Sequence, residues 1–129
     1  MLCALQETRR DGFLSTTTKN FQIYCFGECA GRNGVGIAVH KQYMHLVSES
    51  RGVPDSDGRI MSAKVKLQDS KQPVTMICGY LPTNTSSLVS SEKFYSQVRE
   101  LMTPNTRCLG PHFRPSHAYA VYYSLLCNT

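Results

Sequence analysis

The chain has 129 residues and a mass of 14.4 kDa, room for one domain. With 41% hydrophobic and 18% charged residues, 9 Gly and 6 Pro, its composition excludes wholesale disorder, collagen and coiled coil. The net charge of +5 contains no polybasic run, so it permits a polyanionic partner without establishing one.

The predicted elements begin at once. Leu2-Cys3-Ala4-Leu5 is a short apolar run that reads as a strand, ending at Gln6-Glu7. Asp11-Gly12 reads as a turn, and Ser15 to Asn20 as a polar loop. Phe21 to Phe26 is aromatic and β-branched enough for a strand. A Gly-rich connection then leads to Val35, Ile37 and Val39, which alternate with Gly36, Ala38 and His40. Residues 48–58 read as a polar loop. Arg59 to Leu67 alternates, with Met61, Ala63, Val65 and Leu67 on one face and Ser62, Lys64 and Lys66 on a wet one. Pro73 to Leu81 is apolar on both faces, as a central strand is, and pairs with the preceding strand as a hairpin.

One helix is expected after the Ser/Thr-rich loop from Thr83 to Ser87. Phe94, Val98, Leu101 and Met102 recur at helical spacing, Ser90 is placed as N-cap, Val89 and Phe94 as a hydrophobic staple, and Pro104 ends it. The character then changes. Residues 1–103 hold 12 basic and 9 acidic side chains, whereas 104–129 hold only Arg107 and Arg114 and no acid. The division is therefore 1–103 as a domain and 104–129 as an atypical tail, whose final apolar run reads as a strand or a short helix.

The six cysteines are expected to be free thiols, because the start of the chain lacks the charged and apolar regions of a signal peptide. Cys25 and Cys29 make one C-x3-C pair with no second pair at finger spacing, which does not support zinc. An intracellular chain, nuclear or cytoplasmic, not secreted and not in a membrane, is the expectation.

Chemistry gathers at two strand ends: Leu5-Gln6-Glu7-Thr8 and Gly79-Tyr80-Leu81-Pro82-Thr83-Asn84. A carboxylate there suits a hard cation, and a tyrosine can donate to a phosphate oxygen. Spacing alone is also met by a solvated loop glutamate and a packed tyrosine. These two segments, with Gly34-Val35-Gly36-Ile37-Ala38-Val39 and Asp57-Gly58-Arg59-Ile60 in the same order, resemble the endonuclease/exonuclease/phosphatase superfamily. The similarity is to the apurinic/apyrimidinic-endonuclease-like domains of non-LTR retrotransposons and to craniofacial development protein 2-like sequences, over about residues 1–102.

The resemblance implies an α+β fold, a partial α/β-sandwich. One antiparallel-rich mixed sheet would dominate it, with one clear helix and an apolar sheet face left uncovered and open to self-association. It implies a Mg2+-dependent hydrolase of phosphodiester bonds in nucleic acid, DNA ahead of RNA. Glu7 would be the metal ligand and Tyr80 the tyrosine on the scissile phosphate, with Asn84 in the adjoining loop. Arg59 and Arg9 would lie along the nucleic acid. The family's Asn-bearing first strand, its Gly-Asp-Phe-Asn segment and its Ser-Asp-His segment have no counterpart here. A truncated nuclease domain, weak or inactive alone, is therefore the expectation. A nonenzymatic module binding nucleic acid or protein, and a gene fragment without selected function, are the alternatives.

Overall fold

The computed structural model describes residues 2–69, 71, 73–82 and 88–102, and the backbone of 119–124. The expectations for Asn84, for the 83–87 loop and for Pro104 lie outside the described residues, as do 104–118 and 125–129.

The strands fall into two four-stranded sheets. The first is wholly antiparallel and runs β1 (Leu2–Gln6), β4 (Val35–His40), β3 (Phe21–Glu28), β2 (Asp11–Thr17) across its width. The second runs β5 (Val47–Gly52), β6 (Ile60–Val65), β7 (Val74–Tyr80), β8 (Tyr119–Ser124), and its last pair is parallel. Helix α1 (Leu88–Met102) connects toward β8, so part of the 104–129 tail adds a strand to the second sheet. The fold is α+β, mostly antiparallel with one clear helix, and no described helix is long and apolar enough to cross a membrane.

One dominant sheet was expected, and the structure corrects this to two. The reason lies after β4, where a 3-10 helix, Lys41–Leu46, leads the chain out of the first sheet and into the second. Val35, Ile37 and Val39 of β4 then meet Met61 and Ala63 of β6 and Cys78 and Tyr80 of β7 in one cluster. Each large aliphatic chain fully buried there contributes about 1.5–3 kcal/mol. The sheet face expected to lie open is thus covered from within the chain.

The opposite face of the second sheet is covered too. Ile60 and Ile77 pack against Phe94 and Val98 of α1, so of the face expected to be wet Lys64 and Lys66 are exposed but Ser62 is buried. The central strand β7 is apolar on both faces, as its sequence indicates, because it lies between β4 and α1.

Three local expectations are corrected. Asp11–Thr17 is a strand, not a turn and loop, although all seven residues are exposed. Its pairing comes from the β3 backbone, with Thr17 Oγ1 donating to Gln22 Oε1 at 2.6 Å. Val47–Gly52 is likewise a strand within the expected 48–58 loop. Finally, α1 begins at Leu88, so Ser90 lies inside its first turn and does not cap it. Val89 is largely exposed and forms no staple.

Candidate functional site

The two sheets bring β1 and β7 to a common rim. Gln6 Nε2 donates to Gly79 O at 3.2 Å, and Cys78 Sγ donates to Leu5 O at 3.6 Å, so the ends of the two strands are joined across the sandwich. The next residue of each strand is Glu7 and Tyr80. Tyr80 Oη donates to Glu7 Oε1 at 2.9 Å, which unites side chains 73 residues apart in the chain.

Glu7 holds its place through an unusual backbone. Its φ is +52° and that of Arg9 is +53°, a left-handed conformation that costs a non-glycine residue about 1 kcal/mol or more. The segment is kept there by Thr8 N donating to Gly34 O at 3.2 Å and Arg9 N donating to Asn33 O at 2.9 Å. Gly34, at φ +90°, is required: a Cβ there would collide with Thr8 Oγ1 and lie 3.0 Å from Arg9 N.

Arg59 is set by strand register. The β6–β7 ladder pairs Ile60 with Gly79, and Tyr80 N donates to Arg59 O at 2.8 Å one step further. The guanidinium therefore lies over the Tyr80 ring, 4.9 Å from its centroid, a stacked cation–π contact. Its Nη1 also donates to Tyr80 O and Leu81 O, each at 3.3 Å, and only 15% of the side chain is exposed. Arg9 stands on the other side of the acid, Nη2 3.5 Å from Glu7 Oε2.

Burial raises the Tyr80 phenol above its ordinary range, and the adjacent Glu7 carboxylate raises it further; Arg59 and Arg9 pull part of the way back. Tyr80 is thus a neutral hydrogen-bond donor throughout the physiological range, suited to an oxyanion. Cys78, buried behind it, has its thiol pushed up to about 11 by desolvation, which makes it an inert packing group.

Glu7, Tyr80, Arg59 and Arg9 are brought together, and Asn84 lies outside the described residues. Sequence reasoning missed the residues that hold the loop before Arg59. The Glu28 carboxylate accepts from Asp55 N at 2.6 Å and from Gly58 N at 2.9 Å. Asn33 Nδ2 donates to Asp57 O at 3.1 Å and to its Oδ2 at 3.0 Å, and Arg32 pairs with the same carboxylate. Asp57 Oδ2 lies 3.8 Å from Arg59 Nε. The only signal was turn chemistry: Asn33-Gly34 and Asp57-Gly58 are pairs that accept positive φ.

For Mg2+, Glu7 offers a hard oxygen donor whose side chain is 42% exposed. Among the described residues no three His, Cys, Asp or Glu converge. A single carboxylate is a donor that Mg2+ accepts when water and phosphate oxygens complete its shell. Compared with known proteins, the chain matches no family model and no curated protein.

Proposed function

We propose that the chain carries part of the site of a Mg2+-dependent phosphodiesterase acting on nucleic acid, of the endonuclease/exonuclease/phosphatase type, with little hydrolytic activity of its own. The observation that carries this reading is the Tyr80–Glu7 hydrogen bond, which joins at one rim the acid and the phenol that the resemblance pairs. Two packed sheets with a helix outside them agree with the sandwich of that type.

In this reading Tyr80 donates to a nonbridging phosphate oxygen, and Arg59, held over the ring, supplies positive charge beside it. Arg9 neutralises Glu7 until a phosphate arrives, then contacts the backbone. Mg2+, when bound, neutralises phosphate charge and acidifies a water. With Glu7 and no converging group of three such ligands among the described residues, the ion would be held loosely and hydrolysis would be slow; binding without cleavage is the second reading, favoured by that same sparse ligand set.

The test uses a labelled DNA duplex carrying an abasic-site analogue. Anisotropy should show binding that weakens steeply between about 50 and 200 mM salt, with cleavage near background in Mg2+. Absence of binding at low salt would overturn the reading. Rapid Mg2+-dependent cleavage, lost in Glu7→Ala, would overturn only the statement that the chain is weakly active.

A further inference from the structure

Beside Arg59, on which the Tyr80 ring is stacked, lies a concavity that neither Glu7 nor Tyr80 lines. It is a pocket of about 180 Å³ between the loop 54–59 and α1, reached from the same Arg59. Its walls include Ser56, Arg59, Lys93 and Gln97, with Asp55 and Asp57 at the loop side. Gln97 Nε2 donates to Pro54 O at 3.2 Å and ties the helix to the loop, so the pocket is a built feature and not a gap between loose segments.

Three observations indicate its ligand. Arg59 has one face on Tyr80 and also lines this pocket, so a group bound here is adjacent to one bound at Tyr80. Lys93 is exposed at the pocket wall, and no ion pair among the described residues holds it. Ser56 is 5% exposed and its hydroxyl has no hydrogen-bond partner among the described residues, an unmet polar group at the pocket wall. Of the two acids at the pocket, Asp57 is committed to Arg32, Asn33 and Arg59, which leaves Asp55 as the other acid of its described lining.

We propose that this pocket binds a second phosphate of the nucleic-acid strand, next to the one at Tyr80, through Lys93, Arg59 and the Ser56 hydroxyl. The proposal rests on the phosphodiesterase reading for the identity of the strand, but not for the pocket's affinity for phosphate. Lys93 supplies a point charge, and a serine proton can turn to meet a phosphate oxygen. Two adjacent phosphate subsites would fix the strand's direction across Tyr80, which a single subsite cannot do.

The experiment is a salt titration of binding to labelled single-stranded and duplex DNA by the full chain, Lys93→Ala, Ser56→Ala and the control Lys41→Ala. Lys93→Ala should reduce the slope of log K against log salt by about 0.7 on single strands and about 0.9 on duplex. Lys41→Ala should leave it unchanged. Ser56→Ala should weaken binding while leaving thermal stability equal or higher, since a hydroxyl without a partner contributes no stability; a purely structural serine would show the melt effect without the binding effect. An unchanged slope in Lys93→Ala, with the full chain binding normally, overturns the pocket proposal alone. If the full chain binds no DNA, the phosphodiesterase reading fails instead. Pyrophosphate is then titrated by NMR: shifts at Gln97 that Lys93→Ala abolishes uphold a phosphate pocket, and their absence overturns it.

Discussion

Replacing Tyr80 by Phe isolates the contact on which the functional reading rests. The ring is 6% exposed and stays in place, with Arg59 still stacked on it, so neither cavity nor cation–π loss enters. What disappears is one 2.9 Å hydrogen bond to a carboxylate. Such bonds to charged groups contribute about 1.5–3 kcal/mol when dry. Nearly half of the Glu7 side chain is in water, which replaces the lost donor, so the expected loss is about 0.5–1.5 kcal/mol.

Urea unfolding at neutral pH measures it. The pH dependence gives a second reading. The phenol's pKa is raised in the folded state above the ordinary 10.0, so its contribution is complete below pH 10 and is lost as pH rises through the folded value. The difference between wild type and Tyr80→Phe should therefore shrink above pH 10. A difference that is zero at neutral pH, or that stays constant into the alkaline range, would refute the reasoning.

Gly34→Ala should cost about 2–4 kcal/mol, since it combines a positive φ with a collision against Thr8, and it should displace Glu7 from Tyr80; urea melts and the tyrosine titration would record both effects. Alkylation at pH 8 should modify the exposed Cys3 and Cys29 well before Cys78, whose thiol is pushed up to about 11, as mass spectrometry of a timed quench would show.

The strands legible in the sequence are those that bury side chains. β4 alternates, β7 is apolar on both faces, and Phe94 and Val98 mark the inner side of α1, because burial imposes those patterns directly. Asp11–Thr17 and Val47–Gly52 were missed for the opposite reason. They are edge strands recruited by a neighbour's backbone, and their Ser, Thr and Glu residues carry no periodic trace of it. The division into two sheets was not legible either, since alternation records that a face is buried but not what covers it. In the site, Glu7 and Tyr80 stood out through their motifs, and Arg59 through the Asp57-Gly58-Arg59-Ile60 segment of the resemblance. Glu28 and Asn33 did not, because they act on backbone amides and on a loop carboxylate 24 to 30 residues away.

The acid of the site belongs to one sheet, and the phenol and guanidinium belong to the other. The site is therefore not a property of any strand but a gauge of how closely the two layers are docked. A form of the chain with both sheets intact but separated by the width of a water layer would keep nearly all its secondary structure and have no site. Substitutions deep in the interlayer cluster, at Ile37 or Met61, should then reach Glu7 and Tyr80 without touching them, by changing the spacing of the layers. Function in such a design is tuned from the core outward.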